Sequence, residues 1–125
     1  MGRDRRIGWF TYLEAFITRL QAAVRADNPD VFAELVHFPL KVNGDHHPPL
    51  IIRSSHDLVR RFHGIVTPAV RRAILAQDPD SVFRNWQGYM IGDGEVWFDE
   101  GCDYAIDAPI CFSIRVINLA ATGLK

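Results

Sequence analysis

Cysteine is scarce in this sequence, long apolar runs are missing, and neither sign of charge is in excess. The 125 residues include two cysteines, 14 Lys and Arg, and 15 Asp and Glu, for a formal net charge of −1. A balanced charge gives no support for nucleic acid or an acidic membrane surface as a partner. No apolar stretch approaches the roughly 20 residues that span a bilayer, so we expect no membrane association.

The few cysteines and the scattered histidines bear on metal binding, and the start of the chain bears on the cellular compartment. Without nearby CxxC or HxxxH spacing, we predict no metal site and no cofactor. His46 and His47 are adjacent and point in different directions in an extended chain, which is no better suited to a metal. The charged start of the chain is followed by no long apolar segment. We therefore expect a cytoplasmic protein, or a periplasmic one if a signal peptide has been removed.

The two cysteines, Cys102 and Cys111, form a possible disulfide. In an exported protein they would close a small loop and stabilise the fold, whereas in the cytosol they would stay reduced. The alternation of the neighbouring strands turns Cys111 outward together with Ser113 and Arg115, so a bridge needs a bulge or loop near Gly101. The sequence leaves both redox states open.

The apolar content is sufficient for the core of one domain, because 48% of the residues are hydrophobic. We therefore predict a single domain over residues 1–125. Apolar residues at helical spacing predict a long helix from about residue 8 to 26. A second, short helix follows from about Pro29 to His37. Strand-forming runs at 40–43 and 50–53 predict a hairpin.

Two capped helices are predicted next, one after Ser54 and one beginning at Pro68. From Tyr89 onward the chain alternates with a period of two residues, which predicts a meander of three strands around the glycine-rich turn Gly92–Gly94. Helices and strands are thus segregated. This order predicts an α+β fold with helices laid on one face of a curved antiparallel sheet.

Two segments carry a family resemblance: Phe38–Asn43, and Asn85–Phe98 with its pattern Asn-x-Gln-Gly-x-Met-Ile-Gly-x-Gly-Glu-Val-Trp-Phe. Together with the long first helix they resemble the NTF2-like (cystatin-like, SnoaL-like) cone superfamily, and in particular its small bacterial members without an assigned activity. The resemblance implies a conical cavity and, commonly, dimerisation through the outer face of the sheet. Because the superfamily includes enzymes, adaptors and binding domains, function has to be argued from the site.

An enzyme of this fold needs an acid or base inside the cone. The catalytic candidates are His37, at the predicted end of the second helix, with Tyr12 and Tyr89 as hydrogen-bond donors. Isomerases of the superfamily use aspartates within strands, but Asp45, Asp93 and Asp103 all fall in predicted turns. His37 is equally explained as a helix C-terminal residue that satisfies carbonyl groups.

Polar residues around the meander are the other candidates. Asn85 and Gln87, together with Arg53, are predicted to bind a polar ligand at the cone mouth, although Asn85 and Gln87 are also explained as partners of loose backbone groups. Glu95, Trp97 and Arg115 are predicted to share the outer face of the sheet. A Trp flanked by charged residues is typical of protein interfaces, although packing and a modest surface ion pair would explain them too.

The sequence thus favours a non-catalytic NTF2-like domain that binds a small ligand or a protein partner as a homodimer. One alternative is a cofactor-independent isomerase, lyase or hydrolase that uses the cone cavity. The other is an immunity- or inhibitor-type protein whose contacts include Trp97 and Arg115.

Overall fold

A computed structural model of the chain describes residues 5–44, 48–102 and 111–120, with side chains described from Thr11 onward. Its helices and strands follow one another in groups: α1 Arg5–Arg25, α2 Pro29–Glu34, β1 Val36–Asn43, β2 Leu50–Ile52, α3 Ser55–Arg60, α4 Phe62–Ile65, α5 Pro68–Ala76, β3 Phe83–Asn85, β4 Gly88–Ile91, β5 Val96–Glu100 and β6 Phe112–Asn118. The predicted α+β class is therefore confirmed. No helix within these ranges is long and apolar enough to cross a membrane.

Local capping explains where the helices begin. Asn28 Oδ1 accepts a hydrogen bond from the Val31 backbone at 3.2 Å, and Pro29 occupies the first turn of α2. The predicted serine cap is also formed, because Ser54 Oγ accepts from the Asp57 N–H at 3.2 Å. Thr67 caps α5 in the same way, through the Val70 N–H.

The end of α2 differs from the prediction. The helix stops at Glu34, and His37 lies in β1 rather than at a helix C-terminus. The physical reason is pairing with a distant strand: the Ile114 N–H donates to the Leu35 carbonyl at 2.8 Å, and Val36 pairs with Ile114. This tertiary contact overrides the local helical pattern.

The six described strands form one sheet in the order β2-β1-β6-β5-β4-β3. The prediction of an antiparallel sheet is wrong for one pair of strands, because β1 and β6 run parallel. A further strand was also missed. Asn85 is the last residue of β3, which pairs with β4, so the C-terminal part contains four strands and not three.

The helix side of the sheet is packed with large side chains. Phe16 of α1 lies with its ring centroid 4.7 Å from that of Phe98, and Tyr89 stacks on Phe98 at 5.1 Å. Phe112 completes the cluster, at 5.5 Å from Tyr89 and 5.8 Å from Phe16. All four residues are buried, so this part of the interior is filled.

Candidate functional site

The face of the sheet opposite the aromatic cluster carries an apolar row that crosses all six strands. Tyr89 and Phe98 face the helices, so their neighbours Met90 and Trp97, which pair directly, face the other way. Direct pairing extends this row from one sheet edge to the other. We call it the outer row, and its members are Ile51, Lys41, Val116, Trp97, Met90 and Phe83.

Exposure along the outer row is uneven. Met90 is buried, Trp97 and Val116 are half-buried, and Phe83 keeps 37% of its surface exposed. Lys41 is the charged member and is exposed. From Val116 to Phe83 the row is apolar across four strands, and Lys41 separates this stretch from Ile51. Neighbouring apolar side chains that stay partly exposed are typical of interaction surfaces.

A groove of about 490 Å³ runs beside Trp97 on this outer face. Its lining contains an indole, charged groups of both signs, side-chain amides and two apolar residues. In that order, these belong to Trp97; Asp99, Glu100 and Arg115; Asn43, Gln87 and Asn118; and Phe98 and Val116. The volume falls in the range of small-molecule sites, but the groove is open along the sheet rather than enclosed.

Arg115 reaches the groove because β6 contains one extra residue. Trp97 pairs with Val116 whereas Phe98 pairs with Ile114, so Arg115 lies in a bulge. Its Nη2 donates to the Glu100 carbonyl at 2.9 Å. Its Nε is buried and has no hydrogen-bond partner among the described residues. The bulge therefore fixes a guanidinium beside the groove, and no carboxylate side chain of the described residues forms an ion pair with it.

The opposite end of the groove is held by amides. Asn43 Nδ2 donates to Asn118 Oδ1 at 2.8 Å, which links β1 to β6. Asn118 Nδ2 in turn donates to the Gly94 carbonyl at 2.7 Å. These bonds connect three parts of the chain and keep that end of the groove in one shape.

A second cavity, of about 450 Å³, lies where α5 meets the corner of the sheet. One face of α5, formed by Ala69, Arg72, Ala73 and Ala76, lines it opposite Phe83 and Met90. Glu95 also lines this cavity, and its carboxylate accepts from the Asp93 N–H at 2.7 Å. Helix α5 thus borders the outer row at Phe83 and Met90.

The predicted interface residues are consequently divided between the two cavities. Trp97 and Arg115 line the same groove, whereas Glu95 closes the turn before β5. Ser113, expected on the outer surface, is buried, and its Oγ donates to the Gly101 carbonyl at 2.5 Å. Ser113 nevertheless keeps the predicted face, because it pairs with Asp99 and lies between Phe112 and Ile114, which face the core. The bulge at Arg115 instead affects Val116, which pairs with Trp97 on the outer row, whereas unbroken alternation would turn it inward.

Cys102 and Cys111 are joined by a disulfide, with their Cα atoms 6.1 Å apart. The bond lies just beyond the paired ends of β5 and β6, where the Gly101 N–H also donates to the Cys111 carbonyl at 2.8 Å. Gly101, at φ 114°, supplies the turn in the chain. The disulfide thus closes the same end of the sheet that holds Glu100 and Arg115.

The three catalytic candidates are not gathered at one place. Tyr12 is exposed on α1, whereas Tyr89 is buried in the aromatic cluster. His37 lies on β1, three strand spacings or about 14 Å along the sheet from β4. Burial raises the pKa of Tyr89; Arg84 opposes this, and Glu100 and Asp99 add to it. A phenol with a raised pKa stays protonated at neutral pH, so Tyr89 keeps the donor form predicted for it, but it lies among aromatic rings on a strand that is not adjacent to that of His37.

The predicted ligand-binding set is likewise dispersed. Arg53 follows β2 at one edge of the sheet, and Asn85 ends β3 at the other edge. Asn85 Oδ1 accepts from the Gln87 N–H at 2.8 Å, so the side chain holds the turn between β3 and β4. Only Gln87 of this set lines the groove.

Several residues of the outer face were not found by sequence reasoning. Trp86 is 90% exposed at the tip of the turn between β3 and β4, and Met90 and Val116 belong to the outer row. A signal for Trp86 exists in the sequence, because Asn85 and Gly88 flank it as residues typical of a tight turn. The outer row as a whole could not be predicted, because its members become neighbours only through the order of the strands in the sheet, which no local sequence pattern encodes.

Within the described ranges, no group of three or more His, Cys, Asp or Glu side chains is placed to hold a metal. His46 and His47 lie outside the described residues. No family model, curated protein or solved structure matches the chain.

Proposed function

We propose that this chain is a non-catalytic binding domain of the NTF2-like cone type that works as a homodimer joined through the outer face of its sheet. The helices α1 and α5 contribute to one core with the helix side of a six-stranded sheet, and this arrangement supports the proposed fold. The function rests on a separate observation, the outer row.

The outer row supports an interface because four of its neighbouring members, from Val116 to Phe83, are apolar. Phe83, Trp97 and Val116 remain partly exposed, and covering them would remove this apolar surface from water. A standard interface takes about 800 Å² from each partner, which is a whole sheet face rather than one side chain. Aromatic residues beside arginine, such as Trp97 beside Arg115, are the composition favoured at the centre of such interfaces.

The charges around the row favour a second copy of this chain as the partner. Lys41 and Arg115 are positive, whereas Glu95 and Asp99 are negative, and all four lie on the outer row or line the adjoining cavities. In a two-fold symmetric dimer each surface meets itself, so a surface carrying both signs can complement its own copy.

A non-catalytic role agrees with the distribution of titratable groups. Catalysis by proton transfer needs an acid and a base within hydrogen-bond reach of one substrate position. His37 and Tyr89 lie on strands that are not adjacent, and Tyr89 is packed among aromatic rings. The side chains that do converge, Trp97, Arg115 and Asp99, lie in an open groove suited to binding.

Sedimentation equilibrium of the wild-type protein and of Trp97→Ala tests the proposal. We expect a dimer whose Kd rises at least about 30-fold in the variant, because truncation of a central aromatic residue costs 2 kcal/mol or more. Leu50→Ala is the matched control, since Leu50 is 40% exposed but pairs with buried Val42 on the helix side. A wild-type protein that stays monomeric, or an unchanged Kd in Trp97→Ala with the fold intact by circular dichroism, would refute it.

The groove favours a small polar molecule as a second candidate ligand. The observation is the Arg115 side chain, which offers a guanidinium at a groove of about 490 Å³ that also contains Trp97. Two results together would support this candidate over the dimer. The wild-type protein would be monomeric and bind small carboxylates in a calorimetric titration, and the Arg115→Gln variant would no longer bind them.

A further inference from the structure

Trp86 is the most exposed large apolar side chain in the described part of the structure, at 90%. Large aromatic residues bury their surface when the fold allows it. The residues around Trp86 are fully compatible with a polar turn, so the indole is not needed to form the hairpin. An exposed indole on a polar turn is available for contact with a molecule outside its own chain.

The backbone that carries Trp86 is held in place. Asn85 pairs with Gly88, and the Asn85 side chain accepts from the Gln87 N–H. A Cβ on Gly88, which has φ 124°, would lie 2.8 Å from the Phe98 carbonyl, so the turn is packed closely on β5. A side chain presented on a fixed turn loses little conformational entropy when a partner covers it.

The tip lies next to the groove on the outer face but is not part of its lining. Gln87, the residue after Trp86, lines the groove, and Gly88 lies against Asp99. The indole itself stays in solvent. The chain therefore displays a protruding aromatic side chain and, directly beside it, a groove that this side chain does not occupy.

We propose that Trp86 of each copy inserts into the groove of the other copy, and this inference rests on the proposed homodimer. The groove offers what an indole requires: the Trp97 ring for aromatic contact, the Arg115 guanidinium for a cation–π contact, and the Asp99 carboxylate as an acceptor for the indole N–H.

Symmetry also favours the second copy as the occupant. Each chain carries one tip directly beside one groove, because Gln87, the residue after Trp86, lines that groove. A two-fold axis between two copies can therefore bring each tip to the groove of the other copy and form both contacts at once. The Trp86 contact would thus complete each groove with a residue from the partner copy.

The first experiment compares Trp86→Ala with wild type by sedimentation equilibrium. We expect the dimer to weaken about tenfold or more, because the indole is lost from both grooves. Leu50→Ala, at an exposed apolar residue on the helix side, should leave the Kd unchanged. Since Trp86 is exposed within its own chain, the variant should keep the wild-type melting curve of the monomer.

The second experiment reads the environment of Trp86 directly. In wild-type protein labelled with 5-fluorotryptophan, the 19F resonance of Trp86 is the one of three that is missing from Trp86→Phe. We expect this resonance to move to the position of a solvent-exposed indole as the dimer is diluted into monomers, because the indole returns to water.

The outcomes separate the two proposals. A wild-type dimer that is sensitive to Trp97→Ala but not to Trp86→Ala, with a Trp86 resonance that is the same in dimer and monomer, would overturn the Trp86 contact and leave the dimer standing. A wild-type monomer would overturn both. A dimer weakened by Trp86→Ala, with a Trp86 resonance that moves on dilution, supports the reciprocal insertion.

Discussion

Several polar side chains of this protein accept hydrogen bonds from backbone groups at the turns between strands. Asn85 accepts from the Gln87 N–H, and Glu95 accepts from the Asp93 N–H. Gln77 Oε1 accepts from the Gly92 N–H at 3.1 Å. Because each bond stabilises a turn, a polar residue between two strands of this sequence indicates turn formation before it indicates a ligand.

Asp57 is a residue whose charge contributes to stability in a pH-dependent way. The hydrogen bond from Arg61 is the largest cause of its lowered pKa, partly opposed by burial, and Arg60 adds to the lowering. The carboxylate lies 3.1 Å from Arg61 Nε and 2.7 Å from Arg60 Nη2. In the unfolded chain these contacts are absent, and the pKa returns to its ordinary value of 3.8.

We therefore predict that Asp57→Asn is less stable than wild type above about pH 4, where the unfolded aspartate is ionised. The difference should shrink as the pH falls from that value through the lowered pKa of the folded state, because protonation removes the favourable charge. Thermal melts across the acidic range measure it. Arg61→Gln should remove most of the same pH dependence, and a pH-independent gap between wild type and Asp57→Asn would contradict the assignment.

At the scale of elements, the turn between β4 and β5 depends on glycine. Gly92 has φ 66°, and a Cβ there would meet Glu95 Oε1 and lie 3.0 Å from the Cβ of Ala73. The same position binds Gln77 through its backbone N–H. The turn is thus constrained by its own conformation and by α5 packing against it.

We predict that Gly92→Ala lowers the free energy of unfolding by about 1–3 kcal/mol, because alanine is strained at this φ and has no room. Urea unfolding measures the change. Gly64→Ala is the control: Gly64 lies in α4, and nothing lies within 4 Å of its added Cβ. That variant should be neutral or more stable by up to about 1 kcal/mol, and equal losses in both variants would contradict the packing argument.

Elements with strong local signals could be predicted from the sequence. The periodic apolar residues of α1 and the serine before α3 were sufficient to locate both helices. β3 was missed because three residues give too short a pattern for alternation. The parallel pairing of β1 with β6 joins residues more than 70 positions apart, as Lys41 with Val116, and no local pattern encodes it.

The same reasoning explains the candidate site. Trp97 was placed on the correct face because alternation along one strand is a local property. The bulge at Arg115 places Val116 on the outer face beside Trp97, and a one-residue shift of this kind is invisible without the partner strand. The groove itself is a property of strand order, since its residues come from β1, β5 and β6 and from the turn before β4.

At the scale of the whole molecule, the sheet divides the protein into a packed side and an open side. Four aromatic rings fill the helix side, whereas the outer side carries the apolar row and the groove. A six-stranded sheet with one face packed on helices usually exposes a polar face to water. The apolar row departs from that pattern, and this departure is the reason to expect a partner.

The disulfide acts on the stability of the whole molecule by limiting the unfolded chain. It joins residues nine positions apart at the end of β5 and β6. Closing a loop of this length stabilises the folded state by about 2–3 kcal/mol in the chain-entropy description. We predict that reduction lowers the free energy of unfolding by that amount, measured in urea with and without reductant.

The double variant Cys102→Ser with Cys111→Ser is the control for this prediction. It should match the reduced wild type in stability and should not respond to reductant. The Gly101–Cys111 backbone bond and the Ser113–Gly101 bond do not depend on the disulfide and should hold the strand ends in both forms. Wild-type curves that coincide with and without reductant, under conditions in which thiol titration shows two free cysteines, would show that the loop gains no stability from the bond.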